Sequence, residues 1–229
     1  MLQKFYRKSI TFFYKPLLAH YLKKPRKYSY KPFEFTILPG VFHPAFFYST
    51  KFLLHYVNQL NLYQKSVVEV GAGNGLIAFN AALRAHKVVA LEISKIAIKG
   101  LNLNLQRNSK LLPTNVLSVV ESDLFKSLTP NFYDYIIVNP PYYPKKVNNE
   151  LELAWNCGEE HEYFTRFFKQ VVNFMTVKSK IIMVLSNQCN LIKIDEIAAI
   201  NGLGMQVKAT KKFLIEDNFI FEITLNESK

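Results

Sequence analysis

The chain has 229 residues, 49% of them hydrophobic, and carries 29 lysines and arginines against 17 aspartates and glutamates, a formal net charge of +12. That is enough apolar material for one domain of ordinary size, and no apolar run reaches the roughly 18 residues that would span a bilayer. The cysteines, Cys157 and Cys189, exclude a disulfide framework and fit free thiols in a reducing cytoplasm, where the chain is expected to act as a monomer. The charge implies attraction to a polyanion, with nucleic acid or the ribosome as leading partners; a lysine-rich proteome is the bland source of the same charge.

Residues 1–36 read as a short, basic, aromatic N-terminal arm ahead of a main domain at 37–229. Lys4, Arg7, Lys8, Lys15, Lys23, Lys24, Arg26, Lys27 and Lys31 alternate with Phe5, Tyr6, Phe12, Phe13, Tyr14, Tyr21, Tyr28 and Tyr30. Basic groups neutralise phosphates and aromatic faces stack on unpaired bases, so RNA or ribosome contact is one reading. An amphipathic helix over about residues 3–22 that packs its rings on the core, or one that lies on a membrane surface, are the others. A clean apolar h-region and a small-residue cleavage site are missing, which argues against a signal peptide. Pro39-Gly40 marks a turn, and a helix is expected from about Phe47 to Leu60. His43 between them reads as a structural loop histidine, with catalytic base the lesser alternative.

Ser66–Val70 is an apolar strand running into Gly71-Ala72-Gly73-Asn74-Gly75, and Leu76–Ala85 is the following helix. The glycines permit positive φ and close approach of a ligand to the backbone. The G-x-G-x-G spacing differs from the G-x-G-x-x-G of dinucleotide folds. Lys87–Glu92 is the next strand, ending in an acid placed to accept from ribose hydroxyls, a device that NAD enzymes share. A helix over Ser94–Leu105 and a strand over Asn115–Glu121 lead to Ser122-Asp123-Leu124-Phe125. Asp123 stands at a strand end, where a helix N-cap is the structural alternative. Tyr135-Ile136-Ile137-Val138 then stops abruptly in Asn139-Pro140-Pro141-Tyr142, because neither proline has an N–H for a ladder.

This tetrapeptide, with the glycine turn and the two acids in order before it, resembles the signature of class I S-adenosylmethionine-dependent methyltransferases acting on planar nitrogens. The block from Asp123-Leu124-Phe125 to Tyr142 is similar to the release-factor glutamine methyltransferases, and "small" RNA methyltransferases share much of it. The resemblance implies an α/β fold with a Rossmann-like, seven-stranded, mostly parallel sheet, one strand reversed at the edge. It also implies S-adenosylmethionine as cofactor. Glu69, Gly71, Ala72, Gly73, Asn74 and Gly75 would hold its amino-acid end, Glu92 and Ile93 its ribose, Asp123 and Leu124 its adenine. Phe42, Pro44 and Thr50 look like remnants of a segment covering the methionine end. Asn139 and the Pro140 carbonyl would accept from the substrate N–H groups, Pro141 would stiffen the corner, and Tyr142 would stack on the planar group. Asn102-Leu103-Asn104 resembles the family's recurrent asparagine near the end of the helix after the second strand.

Beyond the corner, Lys145 and Lys146 lie in a basic loop, and Trp155 reads as a lid or core anchor or a substrate-stacking ring. Cys157 and His161 are spaced i, i+4, but no complementary pair completes a metal set, so no metal is expected. A helix over His161–Val177, a strand over Lys180–Leu185, a helix over Leu191–Ile200 and a strand pair over Met205–Phe213 and Asn218–Leu225 close the chain. The resemblance implies N-methylation of a macromolecule, with a protein glutamine side chain first. An RNA amine (adenine N6 or guanine N2) is the alternative, and an RNA-binding scaffold the non-enzymatic one.

Overall fold

In a computed structural model, residues 21–46, 48–213 and 216–226 are described. The sheet forms because buried β-branched runs recur between helices. Five strands are parallel neighbours: β3 (Ser66–Val70), β4 (Lys87–Glu92), β5 (Leu117–Glu121), β6 (Tyr135–Val138) and β7 (Lys180–Ser186). With β8 (Leu203–Lys212) and β9 (Asp217–Leu225) the order is β5-β4-β3-β6-β7-β9-β8. Alternate residues serve opposite faces: Val67, Val88, Ile137 and Ile182 enter one buried cluster, Val68, Val89, Ile136 and Ile181 the other. The first cluster is covered by α1 (Tyr48–Val57), α2 (Leu76–Ala82) and α3 (Lys95–Asn108), the second by α4 (Glu162–Val171) and α5 (Leu191–Ile200). No described helix is long and apolar enough to cross a membrane.

Two expectations are corrected. The reversed strand, β9, is not at the edge: it pairs antiparallel with β7 on one side and β8 on the other. The reason is side-chain chemistry. β9 buries Ile220, Phe221 and Ile223, whereas β8 exposes Lys208, Lys211 and Lys212, charges that suit a solvent-facing edge.

The second correction concerns the arm. Residues 1–20, and with them most of the helix expected over 3–22, lie outside the described residues. The rest of the segment is a hairpin, β1 (Arg26–Tyr30) with β2 (Phe33–Ile37), built into the domain. Phe33, Phe35 and Ile37 alternate inward and are almost fully buried, and Phe33 and Phe35 meet the Phe79 ring of α2 edge-on at 5.5 and 5.3 Å. The side chains of Asn104 and Asn108, one helical turn apart on α3, act as a substitute strand for β2. The Thr36 N–H donates to Asn104 Oδ1 (2.7 Å) while Asn104 Nδ2 donates to the Thr36 carbonyl (3.2 Å). Asn108 does the same at Glu34, at 3.1 and 2.8 Å. Backbone groups that would be orphaned beneath the hairpin are thereby satisfied.

The hairpin is therefore expected to contribute to global stability. Phe35→Ala should lower the unfolding free energy by about 3–5 kcal/mol in urea titrations, the range for an aromatic lost from a core. Lys27→Ala on the outer face of the same hairpin should stay within about 0.5 kcal/mol of wild type.

Candidate active site

Because β3 pairs in register with both β4 and β6, their carboxyl ends open at the same level: Val70 faces Leu91 on one side and Val138 on the other. The loops leaving β3, β4, β5 and β6 surround a cavity of about 190 Å³ at that end, in the crevice where open α/β sheets bind ligands. Every residue singled out above for the cofactor or the acceptor lines it except Pro44 and Gly75. Gly75, at φ 85°, starts α2, and a Cβ there would lie 2.6 Å from Leu101 and 2.9 Å from Phe79. It serves the packing behind the site. Gly71 and Gly73 also have positive φ, but a Cβ on either would meet nothing within 4 Å, so their bare backbone faces open space.

One carboxylate ties the walls together. Glu92 Oε2 accepts from the Gly73 N–H at 2.8 Å, and Oε1 accepts from Ile93 and Ser94 at 2.8 and 2.9 Å. Glu69 is buried beneath the glycine turn, and its Oε2 accepts from the Ala78 N–H in the first turn of α2 (2.7 Å). Burial pushes its carboxyl up to about 8; the Ala78 bond opposes this and the Glu92 charge adds to it. Asn74 is a brace: Oδ1 accepts from Leu76 N–H (3.0 Å) and Nδ2 donates to the Phe42 carbonyl (2.8 Å), holding the Gly40–Phe42 loop over the cavity.

At the other end, Asp123 carries two cations, Arg166 from α4 on one oxygen and Lys126 on the other at 2.7 Å. Leu124 sits beside it, buried, at φ 55°. The Asn139 amide is held from α1: Nδ2 donates to Thr50 Oγ1 at 3.2 Å and to Ser49 Oγ at 3.4 Å. The Tyr142 and Tyr143 N–H groups both donate to the Trp155 carbonyl, at 3.1 and 2.9 Å, and the Trp155 ring lies 4.1 Å from that of Phe42, centre to centre. Burial raises the Tyr142 hydroxyl well above the ordinary tyrosine range, so it stays neutral.

His43 is not part of this wall. It is buried, its Nδ1 accepts from Ala45 N–H (3.2 Å), and burial lowers its pKa, all of which fit the structural reading. Reasoning on sequence missed Arg166, Tyr163 and Ser49. The first two lie on an amphipathic helix whose pattern gives no sign that one end reaches a cavity, while Ser49 is signalled only by its neighbour Thr50.

The sequence model of the methyltransferase small domain family matches residues 32–216. A Methanocaldococcus jannaschii protein assigned by name as a protein N5-glutamine methyltransferase is 30% identical over 183 residues, covering 77% of this chain and 87% of that protein. A Haemophilus influenzae tRNA1(Val) (adenine(37)-N6)-methyltransferase is 29% identical over 105 residues, only 42% of this chain and 44% of that enzyme. Among solved structures, the fold is shared with the E. cuniculi Mtq2–Trm112 complex that methylates the termination factor eRF1 (TM-score 0.59, 19% identity, 82% of this chain, 99% of that chain). It is shared too with the T. thermophilus 16S rRNA N2 G1207 methyltransferase bound to AdoMet and guanosine (TM-score 0.63, 19% identity, 89% of this chain, 50% of that chain). With a glycine turn, a strand-end acid and the Asn-Pro-Pro-Tyr corner on one cavity, and with that family match over most of its length, the chain belongs to the methyltransferase small domain family, as a class I, S-adenosylmethionine-dependent N-methyltransferase.

Proposed function

We propose that this chain methylates the side-chain amide nitrogen of a protein glutamine. The observation that carries the reading is that Asn139, Pro140, Pro141 and Tyr142 open onto the same cavity as Gly71, Gly73 and Glu92. The residues present fit S-adenosylmethionine. The bare backbone of Gly71 and Gly73, with Ala72 and Asn74, leaves room for its amino-acid end, where Glu69 offers a carboxyl for the ammonium. Phe42 and Thr50 cover that end. Glu92, already fixed by three backbone N–H groups, keeps lone pairs for the ribose hydroxyls beside Ile93. Asp123 and Leu124 border the adenine end. Bound there, the cofactor supplies an electrophilic methyl group on a sulfonium.

The chain's own residues do the rest by orientation. A primary amide nitrogen is a weak nucleophile because its lone pair is delocalised. Asn139 Oδ1 and the Pro140 carbonyl accept its two N–H groups, and they suit the positive charge that develops on nitrogen. The Tyr142 ring stacks on the amide plane, and its neutral hydroxyl adds no charge there. Support for glutamine comes from the archaeal relative, which is matched over nearly its whole length.

A second reading, an exocyclic amine of RNA, is favoured by charge placement. Between residues 21 and 120 the acids are Glu34, Glu69 and Glu92, the last two buried, while lysines and arginines recur throughout. The lysines and arginines of that stretch suit contact with phosphates. Transfer of labelled methyl from S-adenosylmethionine into a cell lysate separates the readings. Label released by protease and resistant to ribonuclease supports a protein acceptor, and its recovery as methylglutamine on amino-acid analysis supports glutamine; the converse digestion pattern supports RNA.

Asn139→Ala should lower turnover by about 10²–10³, the scale of one preorganised polar contact, with S-adenosylmethionine affinity by calorimetry unchanged. Near-normal turnover would remove the planar-nitrogen mechanism. Glu69 gives a pH signature. Its carboxyl titrates at about 8 in the free protein and must be ionised to pair with the ligand's ammonium. Binding should then release a proton, and affinity should weaken about tenfold for each pH unit below 8, since each pKa unit is a factor of ten. Glu69→Gln should flatten that dependence while lowering affinity at pH 8.5.

A further inference from the structure

We propose that Trp155 is a positioning residue that holds the acceptor corner through its main-chain carbonyl, with its ring as the anchor. The inference rests on the reading of Asn139-Pro140-Pro141-Tyr142 as the place where the substrate nitrogen is held. The two prolines fix the turn, but they have no N–H to tie it to its surroundings. The first N–H groups beyond them are those of Tyr142 and Tyr143, and both donate to the Trp155 carbonyl, at 3.1 and 2.9 Å. A main-chain carbonyl only accepts and an amide N–H only donates, so the link has one sense. The two limbs then run side by side. Tyr143 and Asn156 form a parallel bridge, the Cys157 N–H donates to the Tyr143 carbonyl at 2.9 Å, and the Gly158 N–H donates to the Lys145 carbonyl at 3.2 Å.

This brace is fixed at both ends. Cys157 is almost fully buried in the second cluster, and its carbonyl accepts from the Tyr163 N–H on α4 at 2.9 Å. At the end nearer the corner, the Trp155 ring packs on Phe42 at 4.1 Å between ring centres, and the Phe42 carbonyl is held by Asn74 at 2.8 Å. Trp155 lines the cavity but is 37% exposed, so its ring stands at the mouth. The corner thus takes its position in part from the loop that covers the cofactor. Of the roles the sequence leaves open for Trp155, this is the anchor and not the substrate-stacking ring, and the two predict different kinetics.

The test uses the full chain, with S-adenosylmethionine at concentrations that calorimetry shows to saturate each variant, because Phe42 covers the cofactor and loses a contact in Trp155→Ala. Labelled-methyl transfer is followed against rising amounts of whichever lysate fraction, protein or RNA, the wild type labels. Amide hydrogen exchange is followed by NMR on the same variants. Trp155→Ala should lower the plateau rate about tenfold, since a small displacement is costly where catalysis works by orientation. Exchange at the Tyr142 and Tyr143 amides should speed up about tenfold, the scale of one aromatic pair, and by more than at Val68 and Ile137 in the sheet. Trp155→Phe, which keeps a ring for Phe42, should restore most of the rate and of the protection. A plateau rate at the wild-type level would overturn the proposal, and if more of the fraction were then needed to reach half of it, the ring stacks on the acceptor instead. Unaltered exchange at Tyr142 and Tyr143 would overturn it whatever the rate does. So would equal acceleration at Val68 and Ile137, the mark of a general loss of stability. Failure of the reading of the corner itself shows separately, as near-normal turnover of Asn139→Ala.

Discussion

Three backbone N–H groups from two loops converge on the Glu92 carboxylate, and the geometry of the cavity follows from that convergence. The Gly73 N–H comes from the turn after β3, and those of Ile93 and Ser94 come from the turn after β4. Parallel strands place their following loops side by side but do not fix them, since the ladder ends where the strands end. A buried carboxylate bonded to both loops does fix them. Gly71 and Ala72 add a second link, both donating to the Leu91 carbonyl at 2.9 Å. The side chain proposed to hold the ribose is therefore also the one that shapes the glycine turn. On that proposal a substitution of Glu92 acts on ligand binding and loop geometry together.

The lining of the cavity was largely legible in the sequence, because its parts are local. A buried strand followed by glycines, a strand ending in an acid, and a strand stopped by two prolines each declare themselves within a few residues, and parallel pairing brings such ends together. What was not legible depended on distant partners. The hairpin at 26–37 hid its alternation: Phe33, Phe35 and Ile37 point inward, but the lysines and tyrosines before them made the segment read as an arm. Its anchors, Asn104 and Asn108, lie roughly seventy residues away on α3, a contact no local pattern reports. Asn102-Leu103-Asn104 was singled out by resemblance alone, without a choice between its asparagines, and the structure gives Asn104 a physical task, that of satisfying β2. The inward place of β9 likewise depends on which of two similar strands better tolerates solvent.

The corner at Asn139 shows how much is fixed by groups that never touch the reacting atoms. Its backbone is set by the prolines, its amide by Ser49 and Thr50, and the chain beyond it by the Trp155 carbonyl, which accepts from Tyr142 and Tyr143 at once. Trp155 in turn rests its ring on Phe42, whose carbonyl is held by Asn74 in the glycine turn. A continuous chain of contacts thus runs from the turn after β3, over the mouth of the cavity, to the corner after β6. Orientation is the main contribution such a site can make when the nucleophile is a poor one, and it requires rigid support of this kind.

Charge is distributed along the cavity in a way that matches a ligand cationic at one end and neutral at the other. At the end beneath the glycine turn, burial pushes the Glu69 carboxyl up to about 8, and the nearby Glu92 charge adds to that push. A cation placed there relieves both penalties, since it allows Glu69 to ionise and pairs with the charge so formed. At the Asp123 end the acid is neutralised in advance by Arg166 and Lys126. A ligand there needs to bring no charge; it need only share the remaining lone pairs of a carboxylate already held in place. A dinucleotide would set its anionic pyrophosphate against the glycine turn, where Glu69 offers a carboxyl that such a ligand gives no reason to ionise. The same glycines and the same strand-end acid that leave a nicotinamide cofactor open in the sequence are thus resolved by Glu69, a residue whose burial only the fold reveals.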